Sequence, residues 1–269
     1  MLIDTHVHLD LAEYHDDLPA VLARSRAADV GGWIVPAVNA SACADLPALA
    51  AAHSGLHYAF GLHPWFLTDD LASDLAQLQQ AVLAMPTGLV AIGECGLDAK
   101  VEIPAERQEA ALVAQIRLAS DTGLPLILHS RGTHEPLLGL LSRYRPAAGG
   151  VLHAFSGSRQ QGEAFIRLGF ALGIGGTITY PRAEKTRKAV AQLPVEWLVL
   201  ETDGPTMPLA GYQGQRNEPA RVAEVLQALA ALRQCAVETL ASGLLATTQR
   251  IFSRLSVSSV ATFSQINLG

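Results

Sequence analysis

Two histidines separated by one valine, His6-Val7-His8, follow the apolar run Leu2-Ile3 near the start of the chain. On a strand, side chains at i and i+2 share a face, so these imidazoles project together while Val7 points away. Further along, Glu94 closes the run GLVAIG, His129 closes PLILH, His153 lies in GVLHAF, and Asp203 follows WLVLET. Imidazole and carboxylate together suit Zn2+, Mn2+ and related ions better than Ca2+, which prefers oxygen alone. Six such residues are too many for one catalytic zinc that must keep a position open, so two divalent ions are expected. Glu94, with two carboxylate oxygens, is the natural bridge. Each residue alone reads as an ordinary strand-end polar group or exposed carboxylate. Five strand ends delivering ligand types together are hard to dismiss as accident.

The elements that must position them alternate between short apolar runs and longer amphipathic ones. Strands are expected at 2–6, 31–37, 57–62, 88–93, 125–129, 150–155, 170–175 and 197–202. Helices are expected near 16–29, 41–53, 71–84, 104–122, 134–144, 158–168, 183–192 and 217–232. In the helix at 104–122, Pro104 suits the first helical position and Glu106 and Glu109 favour the N-terminal end. Leu112, Ile116 and Ala119 share a face, and Gly123 and Pro125 stop the helix. The strands read as nearly continuous apolar runs, as a parallel sheet covered by helices requires. Eight strand–helix units match a TIM-type (β/α)8 barrel, with a doubly wound open sheet as the rival. In a barrel all the strand-end residues converge at the C-terminal mouth. One barrel domain is expected over 1–254, including extra C-terminal helices at 236–254, and a polar tail over 255–269.

The chain has 269 residues and a formal net charge of −6, with 49% hydrophobic and 16% charged residues. So much apolar side chain excludes disorder. Every apolar run is broken by Gly, Pro or a charge before the ~18 residues that a membrane span needs. Cys43, Cys95 and Cys235 form no CxxC pair and fit a reducing compartment. The first ten residues hold Asp4, His6, His8 and Asp10, which is unlike a secretory signal, so a cytoplasmic protein is expected. The acidic balance gives no global attraction for polyanions, so a nucleic-acid substrate would have to be drawn by local groups or metal ions.

The remaining histidines carry less. His15, His53 and His57 read as surface or packing residues, and His134 as a structural or rim residue after SRGT. His63, in GLHP after the third strand, faces the expected mouth, where it would serve a substrate phosphate or leaving group. Cys95 is expected to point away from Glu94 as a buried, inert thiol. Arg182, Lys185, Arg187 and Lys188 form a basic cluster whose spacing also fits a solvated helix face, with no interleaved aromatics strong enough for a stacking platform.

The stretches IDTHVHLD, GLHPW, VAIGECGLD, PLILHSRGTH, GVLHAFSGS, GGTITYPRAEKTRK, VLETDGPTMPL and GQRNEP together closely resemble the TatD family of metal-dependent hydrolases, and most of all its YjjV-type branch. The likeness runs from the first strand to about residue 252. It implies an amidohydrolase-type TIM barrel with a divalent, often binuclear, metal site, in a family whose members include DNases acting from 3′ ends. By motif position it implies His6, His8, Glu94 and Asp203 on one metal, and Glu94, His129 and His153 on the other. Arg131 and His63 become substrate-side groups, and Glu201 would orient a ligating histidine through its other ring nitrogen. Two positions depart from the family pattern: Ala99 replaces an aromatic after GLD, and Thr247 stands where Asn is common.

The expected activity is therefore metal-dependent phosphodiester hydrolysis, exonuclease-like on single-stranded DNA ends, with Mg2+, Mn2+ or Zn2+ activating a water and Asp203 accepting its proton. The expected partner is DNA or another phosphoester, with no membrane and no obligate protein partner. One alternative is a barrel that hydrolyses a small-molecule C–N, lactone or phosphoester bond. Many such enzymes bridge their metals with a modified lysine at the fourth strand, where this chain offers Glu94 and has Lys100 only beyond the strand. A second alternative is a non-catalytic nucleic-acid or partner-binding protein.

Overall fold

The computed structural model describes residues 1–255. Eight parallel strands follow one another in chain order: β1 (Leu2–Asp4), β2 (Val30–Pro36), β3 (Leu56–Phe60), β4 (Leu89–Asp98), β5 (Leu126–Arg131), β6 (Gly150–Leu152), β7 (Phe170–Ile174) and β8 (Leu198–Leu200). The Thr5 backbone N–H and hydroxyl both donate to the Leu200 carbonyl at 2.9 Å, joining the end of β1 to β8. Consecutive order with this closure is a (β/α)8 barrel; a doubly wound sheet would reverse its strand order midway.

The helices are α1 (Ala12–His15), α2 (Leu18–Ala27), α3 (Ala40–Ala52), α4 (Leu71–Leu83), α5 (Ala105–Thr122), α6 (His134–Tyr144), α7 (Arg159–Arg167), α8 (Glu184–Val190), α9 (Val222–Arg233) and α10 (Val237–Ile251). Pro104 is the N-cap of α5, one place earlier than its sequence suggests, and Gly123 ends the helix in the left-handed region at φ 69°. The helix expected from 217 begins only at Val222. Asn217 is occupied in holding a loop, and Pro219–Arg221 form a single 3-10 turn. The tail expected over 255–269 lies, apart from Leu255, outside the described residues. No helix among the described residues is long and apolar enough to cross a membrane.

Both faces of the sheet are buried, which explains the unbroken apolar runs. Ile34, Ala59, Ile127, Val151, Ala171 and Val199 form one cluster with Ile251 and Phe252, which fills the barrel. Their strand neighbours, such as Trp33, Tyr58, Leu128, Leu172 and Leu198, form the second cluster, against the helices. Arg254 donates to the carbonyl of Leu89, the first residue of β4, so the end of α10 closes the N-terminal side of the barrel. The opposite side is left for the strand ends. There the two-residue period carries the inward face from Ile127 to His129, from Val151 to His153, and from Val199 to Glu201.

Candidate metal centre

The end of β1 is locked before the first histidine appears. The buried Asp4 carboxylate accepts the Thr202 N–H at 3.0 Å, the Thr202 hydroxyl at 2.5 Å and the His6 N–H at 3.3 Å. The Asp203 N–H donates to the His6 carbonyl at 2.9 Å, strapping these two site residues together. On β4 the register against β5 slips by one residue between Ile92 and Cys95, a bulge at Gly93-Glu94. Glycine is required on both sides of Glu94. A Cβ on Gly93 would lie 2.5 Å from the Ile127 carbonyl oxygen, and one on Gly96 would collide with that of His129. Cys95 is buried in the outer cluster with its thiol pushed up by burial, as expected of an inert residue facing away from Glu94.

Five imidazoles surround the Glu94 carboxylate, and they divide between its two oxygens. Oε1 faces His153 Nε2 at 2.9 Å, His129 Nδ1 at 3.2 Å and His63 Nε2 at 3.3 Å. Oε2 faces His6 Nε2 at 3.2 Å and His8 Nε2 at 3.6 Å. Asp203 Oδ1 completes the second side, 3.8 Å from His6 Nε2 and 3.7 Å from His8 Nε2. All six residues expected as ligands are thus gathered at one place, and His63 joins them. The rings of His6 and His153 stack with centroids 3.9 Å apart, linking the two sides.

This donor set fits divalent cations. His6 Nδ1 and Nε2, His8 Nδ1 and His153 Nδ1 are buried atoms without a hydrogen-bond partner among the described residues. Buried polar atoms left this way are costly, and of these four His6 Nε2 faces Glu94, where a cation would relieve its share of that cost. Burial opposes ionisation of Glu94, yet His153, His63 and His6 outweigh it and hold its carboxyl well below the usual range. Burial and the neighbouring His153 push His6 down to about 3, so this ring is neutral, with a lone pair available. Burial, helped by the nearby Glu94 charge, lifts Asp203 against the pull of His153 and His8.

The tautomers separate His63 from His129. His63 Nδ1 accepts the Trp65 backbone N–H at 3.1 Å, so a neutral ring carries its proton on Nε2, aimed at Glu94. As a neutral ring it thus turns a donor towards Glu94, although His63, Glu94 and His129 also lie close enough together to hold an ion. His129 is the reverse. Its Nε2 donates to Asp98 Oδ2 at 2.8 Å, which leaves the Nδ1 lone pair for the Glu94 side. Asp98 also accepts the Trp65 indole N–H on the same oxygen at 2.8 Å and the Lys100 N–H at 2.6 Å. Burial would raise Asp98, but the hydrogen bonds from His129 and Trp65 outweigh it. The residue was not singled out from sequence, although it lies four positions beyond Glu94 on the same strand, where alternate residues share a face.

Glu201 is buried behind His153, as its position implied, but its contact differs. Its Oε1 accepts the Ala154 N–H at 2.5 Å and stands 3.9 Å from His153 Nδ1, beyond hydrogen-bond range. Burial pushes its carboxyl up to about 7. Arg131 ends β5 at the rim of a cleft of about 980 Å³ over Glu94, with its guanidinium 6.0 Å from the Trp65 ring centre. The basic cluster divides. Lys185 lines the cleft, Lys188 pairs with Glu184, Arg187 donates to the Ile178 carbonyl, and Arg182 covers Tyr180. Ala99 is exposed beside the cleft-lining Gly132, whereas Thr247 is buried in α10, bonded to the Gly243 and Val195 carbonyls. His134 lines the cleft against Phe155 and Phe165.

The loop that carries Asp203 is strapped down by the GQRNEP stretch. Arg216 pairs with Asp17 and Glu218 at 2.8 Å each, and Arg24 reaches Glu218 at 2.9 Å. The bond from Arg216 holds Asp17 down to about 2. Tyr14 donates its hydroxyl to the buried Asn217 carbonyl at 2.5 Å. Tyr14→Phe strands that carbonyl and is expected to lower stability by about 1–2 kcal/mol, measured by urea unfolding.

A closed barrel that gathers imidazoles and carboxylates from six strand ends under one cleft defines a metal-dependent hydrolase. The chain belongs to the TatD-related DNase family, whose sequence model matches residues 3–253. It is 46% identical over 252 residues to the uncharacterized metal-dependent hydrolase YjjV of Escherichia coli strain K12, covering 93% of this chain and 97% of that one. The crystal structure of YjjV, a TatD homologue from E. coli K12, matches with a TM-score of 0.91 over 94% of this chain and 98% of that one. A 3′-5′ ssDNA/RNA exonuclease TatD from Klebsiella pneumoniae strain 342 is 33% identical over 241 residues, 86% of this chain and 90% of that one.

Proposed function

We propose that this metal-dependent hydrolase is a phosphodiesterase that removes nucleotides from the ends of single-stranded DNA. The observation that carries the reading is the division of contacts at Glu94: one oxygen faces His129 and His153, the other His6 and His8. A carboxylate placed in this way suits two cations. Glu94 with His6, His8 and Asp203 would hold one, and Glu94 with His129 and His153 the other. Divalent ions supply Lewis acidity, lowering the pKa of water towards about 7 and offsetting charge on a phosphoryl group.

The protein's own groups do the rest. Asp203, lifted by burial, is the base that takes the attacking water's proton. His63 directs its Nε2 proton into the site, where it meets a phosphate or leaving oxygen. Arg131 at the rim offers a planar fork to a neighbouring phosphate. The named activity of the Klebsiella relative supports the choice of substrate. Lys100 is exposed beyond Asp98 and only its backbone N–H contacts that residue, which counts against a lysine-bridged amidohydrolase site.

Purified protein is expected to shorten a single-stranded oligonucleotide in Mg2+ or Mn2+ and to stop when EDTA is added. A parallel panel of amides, lactones and phosphomonoesters separates the alternatives. An oligonucleotide left intact with every metal, alongside turnover of an amide or lactone, would overturn the nuclease reading.

A further inference from the structure

Among the described residues four large hydrophobic side chains stand exposed: Leu83, Trp65 (50%), Phe66 (48%) and Met207 (45%). Leu83 ends α4, whereas the other three line the cleft over Glu94. They come from two separate connections, Trp65 and Phe66 from the one after β3 and Met207 from the one after β8. Single exposed hydrophobics are normal, but three converging from different loops on one concave surface mark a binding surface.

Trp65 is held in place before any ligand arrives. It lies in the 3-10 turn Pro64–Phe66, its backbone N–H donates to His63, and its indole N–H donates to Asp98. The Asp98 oxygen that holds the indole also holds His129. The ring is thereby fixed in relation to the candidate metal centre by its polar edge, while half of its surface remains open. An aromatic ring fixed in this way loses little conformational freedom on binding. The same cleft carries the cations of Arg131 and Lys185. A flat π-surface beside two cations matches a ligand that is itself a flat base joined to an anionic phosphate.

We propose that Trp65 and Phe66 are the wall on which a nucleobase adjoining the scissile phosphodiester stacks. The proposal rests on the phosphodiesterase reading and adds the group that reads the base. It also revises the sequence-based view of aromatic stacking, because these rings stand beside His63 rather than among the basic residues at 182–188.

Two oligonucleotides of equal length test it with the metal-loaded enzyme, one of thymidines and one with abasic sites at its 3′ end. Trp65→Ala is expected to raise KM for the thymidine strand by about 5- to 150-fold and that for the abasic strand far less, the abasic change being shared by Trp65→Phe, which also loses the bond to Asp98. Trp65→Phe, which keeps a stacking face but loses the bond to Asp98, is expected to recover most of the loss. A hydrolysis-resistant phosphorothioate strand bearing bases is expected to quench tryptophan emission in the wild type and not in Trp65→Phe, because Trp33 is fully buried and Trp197 lies before β8, at the end of the barrel opposite the cleft. Equal KM values for the two strands in wild type and Trp65→Ala would overturn the stacking wall and leave the phosphodiesterase standing. Hydrolysis of neither strand by the wild type would overturn both.

Discussion

Glu94→Gln is expected to lower kcat/KM by at least about 10³-fold while leaving the far-UV circular dichroism unchanged. The substitution keeps the shape of the side chain and removes the charge that five imidazoles surround. One end of the new amide must present N–H donors to rings that now face a carboxylate oxygen, and cations held on either side would lose their shared anionic ligand. Loss of a group that only orients a metal ligand costs about 10–100-fold, so loss of a carboxylate that would serve both sides should exceed that. The accompanying measurement is metal content, expected to fall by at least one ion per chain. Glu94→Asp separates charge from reach: it keeps the anion but cannot serve both groups, so it too is expected to fall far below wild type. Wild-type turnover with full metal content in Glu94→Gln would exclude Glu94 as the bridge.

Much of this site was legible because a parallel strand has a period of two and a barrel has a fixed mouth. His129 and His153 follow inward-facing Ile127 and Val151 by two residues, so their type and place could be read together. Glu94 was legible by type, but its aim depends on a bulge that no residue pattern announces beyond the glycines at 93 and 96. The ring that donates at His63 and the one left free at His129 are set by partners in other connections, the Trp65 N–H and the Asp98 carboxylate. Contacts of that kind arise from three-dimensional closure. Asp98 itself was within reach, since it shares a strand and a spacing with Glu94, but a lone aspartate before a turn has an ordinary explanation. The helix expected from 217 failed for a related reason: Asn217 holds the Thr202 and Met207 carbonyls, and the chain turns to let it do so.

Loading the stripped protein with Mn2+ is expected to release about one proton per chain between about pH 6.5 and 9, and to stabilise the protein increasingly as the pH rises across that range. The residue responsible is His153. Burial disfavours its charged form, but Glu94 at 2.9 Å, with Glu201 and Asp203 behind it, overcomes burial and pushes its pKa up to about 10. A pKa raised above its unfolded value of about 6.5 contributes stability that is fully present below that value and lost as pH rises towards 10. The stripped protein therefore weakens across this window. A cation needs the neutral ring, so binding at pH 8 displaces about one proton and gains affinity with pH. His6, already neutral above about 3, contributes no proton. At a free metal concentration of about 100 Kd the stabilisation is about 2.7 kcal/mol, or roughly 5–10 °C in Tm for a chain of this size. Calorimetric titration in two buffers of different ionisation enthalpy counts the protons, and thermal scans with and without EDTA at pH 6.5 and 9 give the Tm gap. Proton-neutral uptake with the same gap at both pH values would show that the stripped site holds no imidazolium at His153, and the Glu94–His153 pair would then have to be a hydrogen bond between an ionised carboxylate and a neutral ring.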